Sequence, residues 1–152
     1  MPIVTPAEPK HVEDIATLLE ELDAFYGATE VDPLDQRLRQ IREALFGETN
    51  AGHALLAWDG PQLVGLAAYS FLWPAVGLTR SLFLKELYVV KSHQRQGIGK
   101  LLMEHLRELA IKHGCSRFEW MTEHTNAGAR EFYASLDAPV DESKLFYRVE
   151  LP

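Results

Sequence analysis

Apolar residues recur every third or fourth position over residues 9–25, where Val12, Ile15, Ala16, Leu18, Leu19 and Leu22 fall on one stripe. That period predicts an amphipathic helix. Asp32-Pro33 opens a second helix, with Leu34, Leu38, Ile41 and Leu45 as its apolar face and Gly47 as its stop. The pattern then changes. Residues 53–58 and 63–72 are apolar-rich runs around Asp59-Gly60, which reads as a hairpin. Trp73-Pro74 ends that ladder, because proline has no amide hydrogen to give it. Residues 82–90 form the next strand. Helical spacing returns at Ile98, Leu101, Leu102, Leu106 and Leu109, the expected inward face, with Gly114 as the residue just past the helix end. A strand at 117–122, a helix at 126–136 and a last strand at 144–151 complete the chain, and a short strand at 3–5 precedes it all. The order β-α-α-β-β-β-α-β-α-β predicts an α/β (α+β) chain: one domain over residues 1–152, a central mixed sheet with helices on both faces.

Composition narrows the field of functions. The 152 residues suit one core, and no apolar run is long enough to span a bilayer. The first residues lack the basic and apolar regions of a signal peptide. The single cysteine, Cys115, excludes an intrachain disulfide, so a reducing cytoplasm is the expected location. A formal charge of −7, from 15 Lys+Arg against 22 Asp+Glu, argues against a nucleic-acid partner and is compatible with a cationic substrate or simply with solubility. Six histidines lie scattered without ligand spacing, so no metal is expected.

The segment Gln94-Arg95-Gln96-Gly97-Ile98-Gly99-Lys100 stands between a strand and a helix. Amides at such a junction point outward at the positive end of the helix dipole, which suits a pyrophosphate. A P-loop is excluded twice, because position 94 is Gln and Leu101 follows Lys100. The dinucleotide fingerprint lacks its third glycine, position 102 being Leu. A plain tight turn stays open on this segment alone.

Two flanking segments change that. Leu84-Lys85-Glu86-Leu87-Tyr88-Val89-Val90 precedes the loop, and Asn126-Ala127-Gly128-Ala129-Arg130-Glu131-Phe132-Tyr133 follows the next strand. In this order and spacing, with the loop matching [Arg/Gln]-x-x-Gly-x-[Gly/Ala], they resemble the GCN5-related N-acetyltransferases, and more loosely the diamine and thialysine (spermidine-type) branch. The resemblance covers residues 63–151. It implies acetyl-CoA as acyl donor, with the amides of Gln96, Gly97, Ile98 and Gly99 on the pyrophosphate, Gln94, Arg95, Lys100 and Asn126 nearby, and the pantetheine arm along Leu87, Tyr88 and Val89. It also implies a splayed strand, with the Leu87 amide polarising the thioester carbonyl. A homodimer would be consistent with the family.

Transfer to an amine needs a base and an acid. Glu86 is the candidate base. The branch pattern would carry Leu-Glu-Asp where this chain has Leu84-Lys85-Glu86, and alternation along a strand leaves open whether Glu86 faces the amine or pairs structurally. Tyr133 is the candidate acid toward the thiolate, with a half-buried aromatic as its plain alternative; Asn126 also suits a helix cap. The acceptor site is expected between the first two helices and the loop from Trp73 to Leu78; Glu20, Glu21 and Asp23, with Phe25 and Tyr26, are candidates for holding an ammonium by charge and cation–π contact, or the acids are a solvated helix face. The expected function is direct transfer of acetyl to a small primary amine in a ternary complex. The rivals are a non-catalytic acyl-CoA sensor or partner-binding module of this fold, and a transferase acting on a protein N-terminus or lysine.

Overall fold

A computed structural model describes residues 1–152. The chain forms two compact units, residues 1–121 and 122–152. In the first, the strands run β1 (Ile3–Pro6), β2 (His53–Asp59), β3 (Gln62–Leu72), β4 (Arg80–Val89) and β5 (Cys115–Trp120), and the helices α1 (Val12–Phe25), α2 (Leu34–Phe46) and α3 (Ile98–Lys112). The strands lie in sequence order in one sheet. The first three pairings are antiparallel, and β4 to β5 is parallel, with α3 as the crossover.

The two faces of this sheet can be told apart by register. Partners across a ladder share a face, and neighbours along a strand alternate. Gly65 lies against α3: a Cβ built on it would stand 3.2 Å from Ile98 Cγ2 and 3.2 Å from Leu102 Cδ1. The next residue, Leu66, pairs with Tyr88, whose hydroxyl donates to Glu21 of α1 at 2.7 Å. So α3 covers one face and α1 the other. Both faces of the hairpin are therefore apolar, and Leu55, Leu56 and Ala57 of β2 are buried in succession.

The helices keep their expected places, with one correction of face. The buried residues of α1 are Val12, Ile15, Ala16, Leu18 and Leu22, after a 3-10 turn at Pro9–His11. On α3 they are Ile98, Leu102, Met103, Leu106 and Ala110, so the inward stripe is rotated away from Leu101 and Leu109. At Gly65 the helix seats Ile98 and Leu102 on a position without a side chain. α2 buries no residue fully and is fastened to α1 through Arg37, which donates to Ala16 O at 2.6 Å and lies 3.6 Å from Glu20.

The second unit holds α4 (Ala127–Ala134), capped by Asn126, whose Oδ1 accepts from the Ala129 amide at 3.0 Å. The last expected strand is not formed. Residues 144–151 belong to no strand, and the sheet has five members rather than six. Their alternating pattern is strand-like, but a strand exists only when an edge accepts it.

Gly65→Val is expected to lower stability by about 1–3 kcal/mol, the usual cost of overpacking. Urea unfolding would show a reduced midpoint with an unchanged slope. An unchanged midpoint would mean that α3 does not rest on this glycine.

Candidate active site

The chemistry-bearing part of β4 begins where its pairing with β5 stops. The last parallel partners are Leu84 and Trp120, yet β4 continues to Val89. Residues 85–89 therefore have β3 on one side and an open edge on the other. Val90 N–H donates to Val64 O at 2.9 Å, toward β3. By alternation the amides of Tyr88 and Glu86 also turn to β3, and those of Leu87 and Val89 turn to the open edge. Gln94 Nε2 donates to Val89 O at 2.9 Å from that open side.

A bulge decides which way Glu86 points. Tyr69 pairs with Leu84 and Ala68 with Glu86, so Lys85 is an extra, exposed residue opposite no partner. Leu82 and Leu84 consequently share the α3 face with Leu87 and Val89. Glu86 shares the α1 face with Tyr88. Simple alternation from Leu84 would have put Glu86 toward α3; the bulge reverses it.

Around Glu86 the α1 face is acidic and aromatic. Burial raises the Glu86 pKa above its ordinary value, Lys85 opposes this, and the Asp23 carboxylate adds to the rise. Tyr88 is raised far more, first by burial and then by its bond to Glu21. Phe25 lies 6.0 Å from the Tyr88 ring and 5.3 Å from Tyr26. Glu21, Asp23, Phe25, Tyr26, Tyr88 and Glu86 thus form one patch. Of these, sequence reasoning had no means to join Glu21 to Tyr88, which are 67 residues apart. Two expected acceptor residues stand elsewhere. Glu20 is turned to Arg37 on α2. Trp73 closes the turn between β3 and β4, with Nε1 donating to Leu78 O at 2.9 Å, at the end of β4 remote from the glycine loop.

The loop before α3 presents main-chain donors at a helix start. Gly97 has φ +83° and Arg95 φ +62°. No protein atom crowds a Cβ at Gly97, so the requirement there is the left-handed backbone itself. Gly97 is also the N-cap of α3 and offers no side-chain cap, and the first amide bonded back is that of Leu101, to Gly97 O. The amides of Ile98, Gly99 and Lys100 therefore face outward at the helix start. Arg95, Gln96, Gly97 and Lys100 are exposed, while the Ile98 side chain is core. The loop is pinned from both sides: His93 Nε2 meets Asp59 Oδ2 at 2.9 Å, and Gln96 Nε2 donates to Ser92 O at 3.4 Å. These residues fit a diphosphate held by main-chain donors.

In the second unit, Tyr133 is half-buried on α4 with its ring 5.2 Å from Phe132, and the Asn126 side chain is engaged as the cap. No group of three or more His, Cys, Asp or Glu is placed to share a metal ion. No helix is long and apolar enough to cross a membrane.

Proteins similar to this chain include acetyltransferases. A family model described as "Acetyltransferase (GNAT) family" matches residues 15–137. Thialysine N-epsilon-acetyltransferase of Bos taurus is 29% identical over 137 residues, covering 82% of this chain and 76% of that protein. The solved structure of an integron cassette protein from the mobile metagenome of V. cholerae superposes with a TM-score of 0.91 at 29% identity, covering 98% of this chain and 92% of that one. An aminoglycoside N-acetyltransferase solved with CoA shares the fold, with a TM-score of 0.79 at 19% identity over 99% of this chain and 96% of its own. With an outward-facing row of amides at α3, an unpaired stretch of β4 and a family model covering most of its length, the chain belongs to the acetyltransferase (GNAT) family and is an acyl-CoA-dependent N-acetyltransferase.

Proposed function

We propose that this enzyme takes acetyl-CoA as donor and transfers its acetyl group directly to the primary amine of a small cationic acceptor, within a ternary complex. The observation that carries the reading is the orientation of Glu86: the Lys85 bulge sets it beside Asp23, Tyr88 and the aromatic end of α1, next to the unpaired stretch of β4. Similarity to thialysine N-epsilon-acetyltransferase supports an acceptor of the lysine or diamine kind. A cytoplasmic setting would supply the donor.

The donor contributes an activated thioester carbonyl. The amides of Gln96, Gly97, Ile98 and Gly99, with Arg95 and Lys100, hold its diphosphate, and the open edge at Leu87 and Val89 aligns its arm. The Leu87 amide donates to the thioester oxygen as negative charge builds there, a preorganised contact independent of side-chain identity. Asp23 attracts the acceptor cation, and Phe25 and Tyr26 offer it ring faces.

Proton handling sets the harder requirement. An alkylammonium has a pKa near 10.4, so its neutral form at pH 7 lies about 4–5 kcal/mol uphill. Glu86 receives that proton, directly or through water. Its raised pKa narrows the gap, because a stronger conjugate base is a better proton acceptor. As the C–N bond forms and the C–S bond breaks, Tyr133 gives its phenolic proton to the departing thiolate. Tyr88 does not suit that step: its hydroxyl is bonded to Glu21, and its pKa is raised well beyond that of an ordinary phenol.

Incubation with acetyl-CoA and a panel of diamines, lysine analogues and amine antibiotics, read by thiol release, tests the whole reading. Release dependent on a small amine is expected; release only with protein or peptide acceptors would refute the substrate class. Tyr133→Phe is expected to lower kcat by about 10²–10⁴-fold, the usual worth of a general acid. Its acetyl-CoA affinity should stay close to wild type, and unchanged turnover would remove Tyr133 from the mechanism. Glu86 must be ionised to accept a proton, so activity should fall as pH drops through its raised pKa. The acid limb of kcat/KM is therefore expected above the ordinary carboxylate range, and Glu86→Gln should abolish that limb along with most activity. Gly97→Val forces a β-branched residue into a left-handed backbone, a strain of roughly 1–3 kcal/mol. Weaker CoA binding by about ten-fold in calorimetry is the expected result.

A further inference from the structure

Few main-chain bonds hold the segment that joins β4 to α3. His93 N–H donates to Val90 O at 2.9 Å and Gln94 N–H to Lys91 O at 3.4 Å, but the amides of Arg95, Gln96 and Gly97 have no main-chain acceptor. Arg95 and Gly97 are both left-handed, at φ +62° and +83°. The side-chain bonds of Gln94 and Gln96 reach only five and four residues along the chain. One side-chain bond ties the segment to a different element: His93 Nε2 meets Asp59 Oδ2 at 2.9 Å, across 34 residues of sequence. On the other side of the ring, the Ser92 hydroxyl stands 2.8 Å from His93 Nδ1.

Asp59 is a firm anchor for this bond. It ends β2 and pairs with Gln62 across the two-residue turn Gly60-Pro61. Gly60 takes the positive φ, +59°, and the Pro61 ring fixes its own. Alternation from Ala57, the partner of Gly65, puts Asp59 on the α3 face. A carboxylate only accepts, so Nε2 carries a hydrogen whether the ring is neutral or charged. In the neutral ring Nδ1 is left to accept from Ser92. The imidazole is thereby fixed in orientation and tautomer, as a carboxylate fixes a histidine that must hold a ligand. The His93 side chain is 17% exposed and that of Asp59 55%. The ring is therefore largely enclosed, while its partner can be replaced without opening the core.

We propose that Asp59 is a positioning residue for the acyl donor. Through His93 it fixes the course of the loop into α3, and with it the direction in which the amides of Gln96, Gly97, Ile98 and Gly99 meet the diphosphate. This rests on the reading of that loop as the diphosphate site. Asp59 itself touches neither donor nor acceptor. A loop released from the β2–β3 turn has more conformations to lose when the diphosphate binds, so affinity falls while the chemistry on β4 is unaltered.

Calorimetry on the intact enzyme tests this without an acceptor. Asp59→Ala is expected to weaken CoA binding by about three- to ten-fold, the scale of coupling through one hydrogen-bonded contact. The nucleotide portion of CoA, phosphoadenosine diphosphate, carries the diphosphate without the pantetheine arm and should lose the same factor. Asp59→Asn keeps an acceptor for the Nε2 hydrogen and should restore most of the affinity. His93→Phe removes the same bond and should cost about as much, and the double variant no more than either single one. In turnover with a diamine, Asp59→Ala should raise the acetyl-CoA KM by that factor and leave kcat and the amine KM at wild-type values. An alanine variant that binds CoA as tightly as wild type overturns the positioning role. So does one that keeps its affinity for the nucleotide portion, or an asparagine variant no better than alanine. If the wild-type enzyme gives no heat with CoA, the loop is not the diphosphate site, and the proposal falls together with that reading.

Discussion

A β-strand has two hydrogen-bonding edges, and the central strand β4 leaves one of them partly unused. β4 is paired on both sides up to Leu84 and on one side afterwards. Unmatched main-chain groups are normally a defect. Here they lie on a strand that β3 holds rigidly in place, so their directions are set before any guest arrives. Side chains could not offer this, because each would have to be ordered at an entropic cost. The start of α3 follows the same logic: its outward amides are fixed by the helix, and Gly97 only bends the chain into it.

The Lys85 bulge adds a second kind of preorganisation. By inserting one residue it brings Glu86 and Tyr88 to the α1 face while Leu87 and Val89 stay toward α3. One short segment thus presents a carboxylate to one side and main-chain donors along its open edge. The electrostatics around Glu86 contain a conflict. In the proposed reaction Asp23 and Glu21 would draw a cation in, but negative neighbours would also favour the protonated amine. The half-burial of Glu86 would offset part of this, since it strengthens the group proposed to take the proton.

Much of the fold was legible because helix and strand periods differ, and the pattern along the chain changes cleanly between them. The loop at 94–100 was legible for the same reason: its glycines sit between two periods, where an anion site has a physical basis. What stayed hidden was non-local. A bulge adds one residue to a strand without altering its composition, so the facing of Glu86 could not be read from Leu84-Lys85-Glu86. The close seat of α3 depends on the small residue Gly65 in a different element. Glu20 looked equivalent to its neighbours on α1 until Arg37 of α2 claimed it. Trp73 was grouped with the acceptor residues because the loop from Trp73 to Leu78 was expected to border the site with the first two helices, and the turn that holds it lies at the far end of β4. Residues 144–151 have the pattern of a strand, but pattern specifies a face and says nothing of where a neighbouring edge will come from.

The bond from Gln94 to Val89 has a consequence for anything laid along that edge. With its carbonyl already spoken for, Val89 keeps only its amide for a neighbour, so the open edge offers a matched donor and acceptor at Leu87 and a lone donor at Val89. The glutamine thereby makes the two ends of this short edge unequal, and a strand-like neighbour would find one register satisfied better than the next.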